Sequence, residues 1–169
     1  MSKFKKLLKQ IIKEELDLNT YFLKEKDLLV ILKGYVEFGL QQEEKNLVPQ
    51  DSIFPGKEAK FNSEDFTLDD VDFDSRIQQY MDIKKFLELA GEDAVMDYLT
   101  NDYDDITDQK LRNLGFDIWL TRNRTGSGFL DRDYDDDDTA YNLTTAALNL
   151  NKVTVFIGDD NMIYFEEKD

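Results

Sequence analysis

Carboxylates dominate the side chains that could do chemistry in this chain, and they are densest in the run DRDYDDDD, which begins at Asp131. Asp131, Asp133 and Asp135 have the spacing of the first, third and fifth ligands of a calcium-binding loop. The sixth position of such a loop should be glycine and is Asp136, and the twelfth should be glutamate and is Asn142. The pattern therefore indicates an acidic loop more strongly than a specific calcium site.

Metal-assisted hydrolysis is the other chemistry that carboxylates alone can support. The chain has no His and no Cys, so the commonest general base, a thiol nucleophile and a Cys-ligated metal are all excluded. No stretch places a base, a metal pair and a substrate clamp together, and TGSGF, which begins at Thr125, lacks the third glycine of a phosphate loop. We therefore predict no catalytic residues, no metal site and no cofactor.

The negative charge is concentrated in the C-terminal two-thirds of the chain. The net charge is −16. Residues 1–60 carry 11 Lys and Arg against 10 Asp and Glu, whereas residues 61–169 carry 10 against 27. A surface this negative repels nucleic acid and anionic membranes and attracts basic proteins. Solubility alone is the alternative explanation of this charge, and the sequence leaves it open.

Two acidic runs are the candidate partner-binding residues. B-DNA carries about one charge per 1.7 Å of axis over both strands, and an extended protein chain rises ~3.3 Å per residue. If the chain is extended between Asp133 and Asp138, the acids of this first run approach the charge density of one DNA strand. The run could then compete with DNA for a basic groove. Alternatively, both runs are unrelated solvated loops. The first run comprises Asp133, Asp135, Asp136, Asp137 and Asp138, and the second comprises Glu64, Asp65, Asp69, Asp70, Asp72 and Asp74.

The spacing of apolar residues predicts that the first half of the chain is helical. Recurrence at i, i+3 and i+4 predicts an amphipathic helix over 2–18 and a second helix over 25–40. Both prolines lie in 41–63, which is predicted to be a long loop. Capping and terminating residues predict three further helices, over about 75–90, 92–99 and 107–114, with Gly115 ending the last.

The C-terminal part is predicted to form a β-β-α-β-β unit. Phe116–Thr121 alternates apolar and polar residues, which is typical of a half-buried strand. The predicted segments are a strand at 116–121, a turn at 123–128, a strand at 128–132, a helix at 139–150, a strand at 153–157, a tight turn at 158–161 and a strand at 162–165. Trp119 is expected to be buried in this unit.

The predicted fold class is therefore α+β, with N-terminal helices followed by a small antiparallel sheet and one packed helix. The predicted organisation is a helical segment at 1–40, a long loop at 41–63 and an acidic α+β domain at 64–169, all sharing one continuous core. No apolar run is long enough to span a membrane and no leader is evident, so we expect a cytoplasmic protein.

Two segments carry a resemblance to a known family: DIWLTRNRTGSGFLDR, beginning at Asp117, and LTTAALNLNKVTVFIGDDNMIY, beginning at Leu143. They resemble small phage and mobile-element proteins with the pattern DFWLTRNGHGAGFWDR, a helix with L-T-x-A-A and a strand ending GDDGKIY. Thr125 replaces the family's His and Leu130 its second Trp, so no role of that His carries over. The matching signature residues are Trp119, Thr121, Arg122, Asn123, Gly126, Gly128, Phe129, Asp131 and Arg132.

The resemblance implies a phage context and names no reaction. Small acidic phage proteins are often inhibitors of host enzymes that handle DNA. The expected function is thus inhibition of a host defence nuclease, as an anti-CRISPR protein that binds a Cas9-type effector in the host cytoplasm, by DNA mimicry. The expected partner is a basic nucleic-acid-binding protein, and no direct contact with nucleic acid or membrane is expected. Two alternatives are a non-enzymatic phage accessory or regulatory binding module without DNA mimicry, and a carboxylate–metal enzyme.

Overall fold

Helices and one β-hairpin make up the part of this α+β protein that the structure describes. The structure is a computed structural model and describes residues 3–7, 22–47, 66–100 and 105–168. Residues 3–7 are helical. The longer helices are α1 (Glu25–Leu47), α2 (Phe73–Ala90), α3 (Glu92–Thr100), α4 (Asp108–Asn123) and α5 (Thr139–Leu148), and the strands are β1 (Val153–Ile157) and β2 (Ile163–Glu167). Short 3₁₀ turns span Leu68–Asp70 and Gly128–Asp131.

Helices α1 and α4 form the closest helix pair of the fold. Both present glycines at their contact, and a Cβ on Gly115 would lie 2.6 Å from the backbone nitrogen of Tyr35. A Cβ on Gly34 would lie 2.7 Å from the Cα of Arg112. Further along, a Cβ on Gly39 would contact the ring of Trp119. The contacts advance together along both helices, so α1 and α4 run in the same direction with their backbones nearly touching.

Helix α2 begins and ends at residues with clear capping roles. The Asp72 side chain accepts a hydrogen bond from the backbone nitrogen of Ser75 at 3.1 Å, which satisfies one of the free N–H groups of the first turn. Gly91 ends the helix with φ of 85°, a conformation that favours glycine. The helix was predicted to begin at about residue 75 and begins two residues earlier, at Phe73. Helix α3 confirms the helix predicted over 92–99.

The C-terminal hairpin is confirmed. Strands β1 and β2 pair antiparallel, with Val155 opposite Phe165 and Phe156 opposite Tyr164. Gly158 N donates to Met162 O at 2.9 Å and closes the predicted turn. An isolated parallel bridge joins Val71 to Ile163, so the chain entering α2 lies along the outer edge of β2. In the described residues the sheet has two strands rather than the four of the predicted β-β-α-β-β unit.

The prediction of two strands at 116–132 was wrong. Residues 116–123 continue helix α4, and Gly128–Asp131 is a 3₁₀ turn. The apolar positions also fit a helix, because Leu111, Leu114, Ile118 and Trp119 are buried at i, i+3, i+7 and i+8. Gly115 does not end the helix; it allows the close approach to α1. The alternation of apolar and polar residues after Gly115 therefore reflects the border between the buried and the exposed face of helix α4.

The predicted helix over 139–150 is confirmed as α5, which ends two residues earlier than predicted, at Leu148. The expected burial of Trp119 is also confirmed, at 1% exposure. The predicted loop over 41–63 was wrong at its start, because α1 continues to Leu47. Its remainder, most of the predicted helix over 2–18, and Glu64 and Asp65 of the second acidic run lie outside the described residues. Buried apolar residues from α1 to β2 belong to one core cluster.

Candidate functional site

The signature residue Arg122 lies at the centre of a buried polar network. Its side chain is 1% exposed and its Nη2 donates to Asp82 Oδ2 at 2.7 Å. Its Nη1 donates to the Tyr35 hydroxyl at 2.8 Å and to Gln79 Oε1 at 3.1 Å, and its Nε donates to the carbonyl oxygen of Asn151 at 2.5 Å. One guanidinium thus joins α1, α2, α4 and the turn that leads into β1.

A second signature residue, Arg132, forms part of a smaller network. Its Nε donates to Asp117 Oδ2 at 2.5 Å, and the Tyr98 hydroxyl donates to the same oxygen at 2.6 Å. Asp117 is 4% exposed, so the two donors compensate for burying its charge. The Asp117 hydrogen bond raises the pKa of Arg132, and burial raises the pKa of Tyr98, with Asp117 adding to the effect.

Alkaline pH is expected to destabilise the protein partly through Tyr98. Its folded-state pKa lies above the ordinary value of 10.0, so its contribution to stability is complete below pH 10 and is lost as pH rises further. The free energy of unfolding, measured with urea between about pH 9 and about pH 11, should therefore fall less steeply in Tyr98→Phe than in the parent. The unfolding free energy of Tyr98→Phe should still fall somewhat with pH, because burial also raises the pKa values of Tyr35 and Tyr134. Identical slopes would contradict this account.

Most other signature residues also stabilise the interior. The Trp119 ring contacts Tyr35 edge-on at 5.2 Å, and Phe129 stacks on Phe86 at 5.7 Å between ring centroids. Asn123 Oδ1 accepts a hydrogen bond from the backbone nitrogen of Val153 at 2.9 Å, which fixes the start of β1 to the end of α4. Thr121 and Gly128 are buried as well, whereas Gly126, Asp131 and part of Arg132 are exposed. The signature therefore specifies the packing of α4 rather than an open surface site.

The first acidic run is exposed and held in one conformation by a residue from another helix. Asp97 on α3 accepts hydrogen bonds from the backbone nitrogens of Asp135 at 3.3 Å and Asp136 at 3.1 Å, and from the Thr139 hydroxyl at 2.6 Å. Residues 135–138 form bends and a turn, so the extended geometry assumed for the linear charge density does not apply. The carboxylates are grouped more tightly than on an extended strand. We define residues 133–138 as the acidic loop.

The described members of the second run have local structural roles. Asp69 pairs with Arg76 at 2.8 Å, and its side chain is 81% exposed. Asp70 accepts a hydrogen bond from the backbone nitrogen of Thr67 in a capping box, and Asp72 caps α2. Asp74 is exposed in the first turn of α2. Carboxylates at these positions stabilise helix N-termini irrespective of any partner.

The structure places the two acidic runs at different ends of α2. Asp72 caps its first turn, whereas the acidic loop follows Phe129, which stacks on Phe86 near the other end. Tyr134 within the loop donates to the carbonyl oxygen of Phe129 at 3.0 Å. A helix rises 1.5 Å per residue, so the two contact points are about 20 Å apart along the axis. The described acids of the two runs do not form one contiguous patch.

Asp97 and Asp82 are the important carboxylates that the sequence did not identify. Asp97 is separated from the loop that it holds by about forty residues, and Asp82 is equally remote from Arg122. Each occupies an ordinary position in a helix and has no motif around it. Only the packing of α2, α3 and α4 brings these groups to their partners.

A cavity of about 690 Å³ lies beside α1 and α4. Its charged groups balance: Arg112 pairs with the buried Glu37, and Lys33 and Asp108 add one charge of each sign. The apolar lining residues are Leu29, Val30 and Leu68. This balance gives the cavity no net preference for an anionic or a cationic ligand.

The described ranges contain no group of three or more acidic side chains arranged to hold a metal ion. Within the same ranges, no helix combines the length and the apolar character needed to cross a bilayer.

The buried signature residues and the exposed acidic loop are thus the two features of the described chain that bear most on its function.

Comparison of the chain with models of protein families, with curated proteins and with solved structures found no match.

Proposed function

We propose that this protein is a phage-encoded, non-enzymatic inhibitor that binds a basic nucleic-acid groove of a host defence nuclease of the Cas9 type. The observation that carries the proposal is the acidic loop, whose five carboxylates are exposed and whose backbone is already ordered by Asp97. A loop ordered before binding loses little conformational entropy when it enters a groove. The phage context rests on the resemblance of the signature segments.

The charge of the loop supports a target that normally holds nucleic acid. Grooves that bind DNA or RNA carry clustered Lys and Arg and release counterions when phosphates enter. The acidic loop offers several carboxylates within a few residues, and the net charge of −16 steers the whole molecule toward a positive surface. Occupation of the groove would exclude the nucleic acid without any reaction, which agrees with the lack of His and Cys.

A second candidate is a phage accessory or regulatory binding module without DNA mimicry. The observation that favours it is the separation of the two acidic runs to different ends of α2, together with the capping roles of Asp70 and Asp72. A mimic of a long duplex would need its charges along one continuous face. The two candidates differ in whether nucleic acid competes for the binding site.

Replacing the four consecutive carboxylates of the acidic loop by Asn is expected to weaken binding to a Cas9-type nuclease by more than tenfold, or over ~1.4 kcal/mol. The parent affinity should fall steeply with salt, because the Debye length decreases from ~10 Å at 0.1 M to ~3 Å at 1 M. Calorimetry or interferometry at several salt concentrations, with DNA as competitor, measures both effects. The substitutions are Asp135→Asn, Asp136→Asn, Asp137→Asn and Asp138→Asn.

A matched control removes four exposed carboxylates elsewhere, so that both variants change the net charge equally, from −16 to −12. The control should bind within about threefold of the parent, because long-range steering is weaker than direct pairing. Its substitutions are Asp105→Asn, Asp108→Asn, Asp159→Asn and Glu166→Gln, all at exposed positions. If the loop variant binds and inhibits as well as the parent, the loop is only solvated and the second candidate takes its place.

A further inference from the structure

The outer face of α5 is an uncharged surface in a highly charged protein. From Thr139 to Asn151 the chain has no charged residue, although charged residues make up 34% of the whole. A surface helix normally places charged side chains on the side that faces water. The absence of charge on α5 therefore calls for a reason beyond solubility.

The inner face of α5 explains only part of this composition. Leu143, Ala146, Ala147 and Leu150 are buried, and the helix packs on α2, α3 and α4. The outer positions are apolar or aromatic yet exposed: Tyr141 is 70% exposed and Leu148 is 42% exposed. Both lie on one side of the helix, seven residues apart, with the exposed Thr145 between them.

This outer face has the composition of an interface centre. Charged residues are depleted at the centres of protein interfaces, whereas Tyr is enriched there and often carries much of the binding energy. A Tyr side chain offers a large contact area with few rotatable bonds, so its ordering costs little entropy. Exposed Asn142 and Asn149 can hydrogen-bond at the edge of such a surface without introducing charge.

The outer face is continuous with the acidic loop. Helix α5 begins at Thr139, directly after Asp138, and Tyr141 lies less than one turn further on. Three residues correspond to about 4.5 Å along the axis, so Tyr141 lies within one helical turn of Asp138, the last residue of the loop. The molecule thus presents clustered negative charge next to one accessible aromatic ring.

That juxtaposition is the one offered by single-stranded nucleic acid, in which phosphates alternate with unpaired bases. Grooves that bind single strands combine positive charge along the backbone path with aromatic side chains on which bases stack. Duplex DNA, in contrast, keeps its bases stacked within the helix and offers no free ring to such a platform. The charge of the loop and the ring of Tyr141 therefore match a single-strand groove better than a duplex groove.

We propose that the partner surface is a single-strand nucleic-acid groove, with Tyr141 placed on its aromatic stacking platform and the acidic loop placed among its cations. The proposal rests on the proposed function and identifies the kind of groove that is bound. Leu148 extends the apolar contact one turn beyond Thr145. Specificity for the groove then comes from α5 and the strength of the attraction from the loop.

The test uses the full chain and a Cas9-type nuclease, with affinity measured across a salt series. Tyr141→Ala should weaken binding roughly tenfold or more, the loss typical of one stacked aromatic group, and should leave the slope of log affinity against log salt unchanged. The loop variant with four Asn residues should reduce that slope. Tyr141→Phe keeps the stacking ring and should bind like the parent, and a single-stranded oligonucleotide should displace the parent more effectively than a duplex of equal length.

Phe156→Ala provides a matched control, because Phe156 is an exposed aromatic residue of the hairpin at 40% exposure. It should not change the affinity. If Tyr141→Ala binds like the parent while the loop variant loses binding, the α5 face is not in contact, and the further inference fails while the proposed function stands. If neither variant weakens binding, or the parent does not bind this nuclease, both proposals fail.

Discussion

Arg122→Met is expected to lower the free energy of unfolding by about 3–5 kcal/mol, the usual cost of removing one partner of a buried ion pair. Asp82 is 8% exposed and, among the described residues, would keep the hydrogen bond from Gln78 but lose the cation that pairs with it. Tyr35 and the Asn151 carbonyl would lose a donor as well. Urea unfolding followed by fluorescence measures the effect, because Trp119 is the only Trp and is buried.

Two further variants test the cause of that loss. Lys85→Met removes an exposed cation from α2 and should change stability by less than about 0.5 kcal/mol. Adding Asp82→Leu to Arg122→Met removes the unpaired charge and should recover part of the stability. If the single variant is as stable as the parent, the guanidinium network does not hold the helices together.

Gly115→Ala is expected to destabilise the protein by about 1–3 kcal/mol, although the same change in an open helix stabilises it by up to ~1 kcal/mol. The added Cβ would lie 2.6 Å from the backbone nitrogen of Tyr35, so α1 and α4 would have to separate. Backbone atoms cannot move aside as a flexible side chain can. The sign of the change in unfolding free energy therefore distinguishes helix contact from helix propensity.

Gly126→Ala is the control for this experiment. Gly126 is exposed just after α4, and an added Cβ would meet only the side chain of Leu120, at 3.1 Å. We expect a stability within about 1 kcal/mol of the parent, with a slight gain from restricting the unfolded chain. Equal stability of the Gly115→Ala and Gly126→Ala variants would show that the two helices tolerate a wider separation.

The burial of the signature changes what the family resemblance can indicate. Trp119, Arg122 and Phe129 are all buried: the first two join α4 to α1 and α2, and Phe129 joins the turn after α4 to α2. Residues buried in this way stabilise the interior and carry no partner surface of their own. The acidic loop and the outer face of α5 lie outside the densest part of the pattern.

The sequence alone determined the features that depend on neighbouring residues. The C-terminal hairpin followed from two apolar segments around Gly158–Asn161, and Asn161 adopts the positive φ of 61° that such turns require. Helix α3, the start of α4 after its N-cap Thr107 and the start of α5 followed from caps and from 3.6-residue periodicity. The exposure of the acidic run followed from its charge density, since uncompensated carboxylates are too costly to bury.

Tertiary structure decided the features that depend on residues far apart in the chain. Residues 116–121 alternate in a way that fits a strand, and they are helical because Gly115 and Gly34 let α1 pack directly against α4. Arg122 resembles a surface cation in the sequence, and it is buried because Asp82, Gln79 and Tyr35 converge on it from two other helices. Asp97 orders the acidic loop only because α3 packs beside it. Local preferences therefore define the elements that are stable through their own caps and turns, whereas close helix contacts and buried charge pairs arise only when the whole chain has packed.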